Sequence, residues 1–259
     1  MSRLRLLALM LAFLPAVAAQ VAESADQLRN LELFLLIGQS NMAGRGQVEA
    51  QDREPIRGVY VLNREMKWAP AVDPLHFDKP DIAGTGLART FARYLLRQNP
   101  KASIGLIPAA FGGTSLDQWA PGGELYQNAV RRAREAAKSG RLRGILWHQG
   151  EADSGKEENA KSYRRRFAAM IRQLRQDLGA GDIPVVVGQI GEFYRAPFAR
   201  TVQEEQALIP LMVPRSAFVS SAGLGHKGDG VHFDSAALRE LGRRYAHAYL
   251  SLELDWEEK

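Results

Sequence analysis

Six short apolar runs punctuate this chain, and their lack of alternation decides what it can fold into. Leu31–Ile37, Val59–Leu62, Ser103–Ile107, Gly144–His148, Val185–Ile190 and Ala217–Ser220 carry Val, Ile and Leu on consecutive positions. A strand with one solvated face would alternate apolar and polar residues. Continuous apolar runs predict strands covered on both faces. Between them lie stripes at helical spacing. Leu87, Phe91 and Leu95 form the first, ended by Pro100. Tyr163, Phe167, Ile171, Leu174 and Leu178 form a second, and Leu238, Leu241, Tyr245 and Tyr249 a third, with Asp234 placed to cap it. Strands alternating with helices predict an α/β fold, a three-layer α/β/α sandwich around a central, mostly parallel sheet.

Ligands of such sheets bind at the carboxyl ends of the strands. Four polar segments fall there: Ser40 after the first run, Phe111–Trp119 after the third, Gln149 and Glu151 after the fourth, and His232 after the last. Residues 46–81 form a long, mostly irregular stretch with Pro55, Pro70, Pro74, Pro80 and Trp68. Long loops in compact domains are functional or mobile, so this one is either a wall of the site or a surface excursion. No linker-like composition divides the chain, and residues 20–259 read as a single domain.

The first 19 residues read as a signal peptide. Arg3 and Arg5 precede the apolar stretch Leu6–Val17, and Val17-Ala18-Ala19 supplies small residues for cleavage. The stretch is too short to span a bilayer comfortably, so export to the periplasm or medium is expected, without stable membrane insertion after cleavage. With no cysteine in the chain, export brings no disulfides and stability must come from the core. The formal charge of +5 falls to +3 without Arg3 and Arg5. The remaining bases (Arg131, Arg132, Arg134, Lys138, Arg141, Arg143, Arg164, Arg165, Arg166) lie on helical patterns with Glu135, Glu157 and Glu158 interleaved. They read as solvated helix faces rather than a nucleic-acid footprint, which wants a basic stripe with stacking aromatics.

The chemistry sits in Gly38-Gln39-Ser40-Asn41-Met42 and Asp229-Gly230-Val231-His232-Phe233. Serine at a strand exit, histidine as base and aspartate three residues before it form a nucleophile–base–orienter set suited to acyl transfer. A lone serine there would otherwise read as a helix cap, and Asp-Gly as a turn. His76, His148, His226 and His247 read as structural. Phe111-Gly112-Gly113-Thr114-Ser115 can bring a backbone N–H to a developing oxyanion or be a plain tight loop. Gln149 can aim its amide at the same charge, and Glu151 is a second possible partner for His232. Trp147 reads as packing. Gly223-Leu224-Gly225-His226-Lys227-Gly228 matches G-x-G-x-x-G but opens no βαβ unit, so no nucleotide cofactor is expected. The absence of G-x-S-x-G argues against an ordinary α/β-hydrolase, and no H-E-x-x-H or comparable spacing suggests a metal.

Together, Gly38-Gln39-Ser40-Asn41-Met42-Ala43-Gly44, Gly112-Gly113-Thr114-Ser115, His148-Gln149-Gly150-Glu151 and Asp229-Gly230-Val231-His232-Phe233 resemble the SGNH hydrolase superfamily. More narrowly they are similar to its sialate O-acetylesterase-like branch, which includes the carbohydrate esterase family 6 acetylxylan esterases. The resemblance implies a flavodoxin-type sandwich, Ser40 as nucleophile, His232 as base, and an oxyanion hole from the Ser40 N–H, Gly113 and Gln149. It favours Asp229 as the acidic member, with Glu151 retained. It implies no cofactor and no metal. The expected activity is removal of O-acetyl groups from a carbohydrate, with Gln39, Asn41, Asp117, Gln118 and Trp119 as candidate substrate-binding residues; Trp119 suits sugar stacking and core packing equally. A lipase- or thioesterase-like SGNH hydrolase and a non-catalytic carbohydrate-binding protein on the same fold are the alternatives.

Overall fold

The structure, a computed structural model, describes residues 28–257. The predicted signal peptide, residues 1–19, lies outside the described residues. In chain order the elements are β1 (Leu31–Gly38), α1 (Ser40–Ala43), α2 (Ala50–Arg53), β2 (Val59–Leu62), β3 (Trp68–Pro70), α3 (Ala88–Gln98), β4 (Ile104–Pro108), α4 (Glu124–Ala136), β5 (Gly140–His148), α5 (Glu157–Lys161), α6 (Tyr163–Asp177), β6 (Val185–Gly188), α7 (Ala199–Ala207), β7 (Ser216–Val219) and α8 (Ser235–Glu257). The strands form one seven-stranded sheet in the order β3-β2-β4-β1-β5-β6-β7. Every neighbouring pair is parallel except β2 and β3. This is the expected α/β/α sandwich.

The apolar run of β1 is continuous because β1 is central and covered twice. Leu33, Leu35 and Ile37 enter the core shared with α4, α6 and α7, where they meet Tyr126, Phe167, Ile171 and Val202. Phe34 and Leu36 enter the opposite core with Phe91 of α3 and Leu238, Leu241 and Tyr245 of α8. On that side Phe34, Phe91 and Tyr249 pack edge-to-face at centroid separations of 4.9, 5.1 and 5.9 Å. Each such pair adds roughly 0.5–1.5 kcal/mol beyond its buried area.

The structure departs from the sequence expectations at the edges. β3 is unpredicted: it is a three-residue antiparallel edge strand ending in Pro70, too short for a periodic signal, and proline is tolerated there because an edge leaves one N–H side unpaired. β5 begins at Gly140, ahead of the predicted Gly144, because its first half is partly exposed and reads as polar. Arg141 and Arg143 therefore lie on a strand and not on a helix. Arg132 is not a solvated helix residue either: it is buried, donates to the Leu62 and Asn63 carbonyls, and stacks 4.8 Å from the Phe77 centroid. The 46–81 stretch, expected to be mostly irregular, holds α2, β2 and β3. Buried Arg89 pins it down by donating to the Ala71 carbonyl at 3.0 Å and to the carbonyls of Asp52 and Glu54.

Gly38 ends β1 at φ +128°, and a Cβ built there would stand 2.2 Å from the His148 carbonyl oxygen. Gly38→Ala combines left-handed strain with a backbone clash. It should cost about 3 kcal/mol or more in a denaturant titration.

Candidate active site

The loops that leave β1, β4 and β5 and the segment before α8 meet at the carboxyl edge of the sheet. β1 gives way to α1 through Gln39, so Ser40 opens a one-turn helix whose four residues are all buried. At the first helical position its N–H has no partner within the helix, and its hydroxyl faces the last segment. His232 Nε2 lies 3.1 Å from Ser40 Oγ, and His232 Nδ1 lies 2.7 Å from Asp229 Oδ2. With Nδ1–H donating to the carboxylate, Nε2 is left as the acceptor facing the hydroxyl. Asp229 also folds the turn, since its Oδ1 accepts the N–H groups of Val231 at 2.9 Å and His232 at 2.8 Å. Burial alone would raise the Asp229 pKa. The hydrogen bonds from the His232 N–H, the His232 ring and the Val231 N–H outweigh it and hold the carboxyl well below the usual range. His226 organises the same loop, its Nδ1 accepting from Gly228 N at 3.0 Å and Gly230 N at 3.2 Å.

Asn41 was expected to touch substrate. Instead it is fully buried and clamps the two halves of the site. Its Nδ2 donates to the Val231 carbonyl at 3.2 Å, and its Oδ1 accepts from Phe233 N at 3.1 Å. The amide thus bonds the backbone on both sides of His232. Its orientation is fixed by a second donation, 2.6 Å to Glu151 Oε1. Glu151 is therefore not the orienter of His232, whose two ring nitrogens already face Asp229 and Ser40. Burial pushes the Glu151 carboxyl up to about 7, and Oε2 has no hydrogen-bond partner among the described residues. Gln39 is likewise buried, with Oε1 3.5 Å from the Gly150 and Ala152 N–H groups.

The third group expected at the oxyanion hole is also committed elsewhere. Gln149 is buried, and its NH₂ donates to the Thr114 carbonyl at 3.0 Å and Asp153 Oδ2 at 2.6 Å. Its Oε1 accepts from Tyr163 OH at 3.0 Å. The side chain ties the glycine loop to β5 and has no donor left for an oxyanion. In the glycine loop, Gly112 N–H is taken by Asp78 Oδ2 at 2.8 Å. Gly113 is exposed at φ +82°. The loop lies against Ser40, since a Cβ built on Gly112 would be 3.4 Å from Ser40 Cβ.

The remaining candidates have partners within the protein. Trp119 is 1% exposed, donates to Thr114 Oγ1 at 3.1 Å and packs edge-to-face on Trp147 at 5.5 Å, so it is core and not a sugar platform. Gln118 caps its own turn by accepting from Ser115 N at 2.9 Å. Asp117 is paired with Arg166 at 2.8 Å. Sequence reasoning missed the buried pair Arg45–Asp78, 2.6 Å apart, which backs the glycine loop. Burial raises the Asp78 pKa, but Arg45 and the Gly112 N–H more than reverse this and keep it ionised. Asp78 lies in the long 46–81 stretch, whose end is thus a wall of the site. No local pattern pointed to it, because its partners are set by the tertiary fold.

A parallel α/β/α sandwich with serine, histidine and aspartate in hydrogen-bond contact at the strand ends is the architecture of an SGNH-type ester hydrolase. Residues 30–251 match the family described as carbohydrate esterase, sialic acid-specific acetylesterase. The chain is 32% identical over 239 residues to a probable carbohydrate esterase of Arabidopsis thaliana, covering 85% of this chain and 90% of the plant protein. The crystal structure of that plant protein matches at TM-score 0.80 and 30% identity, covering 86% of this chain and 98% of that one. A carbohydrate acetylesterase from Xanthomonas citri matches in fold at TM-score 0.65 and 20% identity, over 85% of this chain and 56% of that one. A variant of an acetyl-xylooligosaccharide esterase from Geobacillus stearothermophilus does so at 0.52 and 14%, over 86% and 96%. The chain belongs to the sialic acid-specific acetylesterase family of carbohydrate esterases and is a carboxylic ester hydrolase.

Two outcomes follow from the clamp. Asn41→Ala should lower kcat about 10²-fold with the fold intact, because a displacement of about 1 Å between reacting groups costs that much; steady-state kinetics and circular dichroism check it. Glu151 titrates higher in the folded than in the unfolded chain, so the folded state holds the extra proton between pH 4.5 and about 7. Its contribution is present at pH 4.5 and lost as pH rises. Wild type should therefore lose roughly 3 kcal/mol relative to Glu151→Gln across that window, read by urea unfolding at several pH values.

Proposed function

We propose that this protein is an exported serine esterase that removes O-acetyl groups from carbohydrates through an acyl-enzyme. The observation that carries the reading is the continuous hydrogen-bond chain Ser40–His232–Asp229, at 3.1 and 2.7 Å. Membership of an acetylesterase family and the plant carbohydrate esterase relative support the substrate class. The signal peptide at residues 1–19, followed by an esterase domain over 20–259, supplies export. Among the described residues no helix is long and apolar enough to cross a membrane.

In this reading Ser40 Oγ attacks the acetyl carbonyl carbon while His232 Nε2 takes the hydroxyl proton. The carbonyl oxygen becomes an oxyanion held by the N–H groups of Ser40 and Gly113. Each such donor is typically worth roughly 2.7–4 kcal/mol of transition-state stabilisation. Asp229 stabilises the imidazolium without accepting its proton. His232 then protonates the sugar oxygen as the C–O bond breaks, leaving acetyl on Ser40. Water, deprotonated by His232, repeats the sequence on the acetyl-enzyme, releases acetate and restores the serine. With Gln149 committed to Thr114 and Asp153, the hole in this chain rests on backbone donors.

The test is hydrolysis of para-nitrophenyl acetate and octanoate. Acetate turnover should fall at least about 10⁴-fold in Ser40→Ala and in His232→Ala, and roughly 10³–10⁴-fold in Asp229→Asn. Glu151→Gln should retain most of it. Wild-type turnover by Ser40→Ala would overturn the mechanism. Preference for octanoate would favour a lipase-like enzyme, and a folded wild type inactive on every acetyl ester would favour a carbohydrate-binding protein.

A further inference from the structure

The glycine-rich segment Gly223–Gly228 lies between β7 and α8 and belongs to neither. It folds back on the stretch that carries His232. Asp234 N donates to the Gly225 carbonyl at 3.4 Å, His226 bridges to Phe233, and Lys227 N donates to the His232 carbonyl at 3.0 Å. Two short arms thus run antiparallel, with Asp229 in the turn between them. Lys227 is the residue opposite His232.

The Lys227 side chain reaches two further groups. Its ammonium lies 3.8 Å from Asp229 Oδ2, the oxygen that takes the His232 ring N–H, and 3.4 Å from the Arg45 carbonyl. Arg45 follows α1, the helix that Ser40 opens. Its guanidinium bonds Asp78 Oδ2, which accepts from Gly112 N–H. A line of contacts therefore runs from Asp229 through Lys227, Arg45 and Asp78 to the glycine loop. Apart from His232 itself, Lys227 is the one cation among the described residues that pairs with Asp229.

The other titratable groups packed about the imidazole have bonds of their own. His226 accepts from Gly228 and Gly230 N–H, Asp234 from Ala237 N–H, Arg45 bonds Asp78, and Glu151 accepts from Asn41. Asp229 stays ionised throughout. The side chains of Lys227 and Asp229 are 37% and 36% exposed, so water screens the pair and it ties the loop down only weakly. Its charge matters more. The ammonium is no further from His232 Nδ1 than the 3.8 and 2.7 Å contacts laid end to end. At that range a positive charge works against a second one on the imidazole.

We propose that Lys227 is a positioning residue of the esterase, acting through Asp229: its ammonium shares the carboxylate with His232, and so keeps the imidazole neutral, able to accept the Ser40 proton, down to lower pH. The inference rests on the serine-esterase reading and deepens it. On the acid side kcat/KM falls as the base of the free enzyme takes up a proton. Removing the ammonium favours the imidazolium, so the acid limb should move to higher pH. A unit charge at this separation in water is worth about half a pH unit.

The experiment records kcat/KM for para-nitrophenyl acetate against pH, with wild type, Lys227→Met, Lys227→Gln and Lys227→Arg, and circular dichroism checks the fold of each. Profiles are taken in low salt and in about 1 M sodium chloride, where the screening length is roughly 3 Å. In low salt Lys227→Met and Lys227→Gln should move the acid limb up by about half a pH unit. In high salt they should rejoin wild type. Lys227→Arg keeps the charge and should restore the wild-type limb. A fall in kcat/KM at every pH with the limb unmoved would make Lys227 a structural tie and overturn the proposal. So would a shift that high salt leaves untouched, or variants that match an active wild type throughout. Each of these leaves the esterase reading intact, whereas a wild type without Ser40-dependent turnover of any acetyl ester overturns both.

Discussion

The buried amide of Asn41 grips the backbone at Val231 and Phe233, so His232 is held by its two neighbours while its ring is left to Asp229 and Ser40. This is the contact on which the site depends. Ser40 belongs to the first strand exit and His232 to the segment before α8, 192 positions further along the chain. Without a fixed bond between the two segments, the 3.1 Å approach would be a matter of loop fluctuation. Asn41 follows the serine directly, so any shift of the clamp moves nucleophile and base together. Glu151 serves the clamp from behind, and its cost is a buried carboxyl with one unmatched oxygen.

Economy of the same kind runs through the other parts. The two oxygens of Asp229 divide the labour: one closes the turn, the other orients the imidazole. The sequence offers a turn reading and an orienter reading of that aspartate as alternatives, and its two oxygens make the contacts of both. Gln149 shows the opposite outcome. The sequence resemblance implies an oxyanion donor there, yet its amide is fully occupied in bracing the glycine loop. Its NH₂ goes to the Thr114 carbonyl and to Asp153. Arg45 and Asp78 brace the same loop from the other side, so the segment beside the serine is held from below and behind.

The fold was legible because its dominant signal is local. Continuous apolar runs at β1, β4, β5 and β6 announce strands covered on both faces, and the stripes at Leu87, Tyr163 and Leu238 announce the helices that cover them. β3 escaped notice because three residues carry no period, and Arg132 was misplaced because exposure cannot be read from charge. At the site, the meeting of Ser40, His232 and Asp229 was legible because residue type and short spacing point to it. Asn41, Gln149 and Trp119 were assigned to the right place with the wrong task. Whether a polar side chain at a strand end faces substrate or its own scaffold depends on partners dozens of residues away. Asp78 illustrates this most clearly, as it belongs to the site only through Arg45 and Gly112.

The central position of β1 has a consequence in time. It is the first strand among the described residues, yet its ladders run to β4 and β5, some seventy and more than a hundred residues later. A strand apolar on both faces thus waits unpaired while the middle of the protein is made. Pairings of such high sequence separation fold slowly, since loop closure must precede the contacts that reward it. The serine turn cannot take shape before β5 exists, and the clamp cannot close until Val231 and Phe233 arrive. The reactive centre therefore cannot form before the chain has reached the segment that leads into α8.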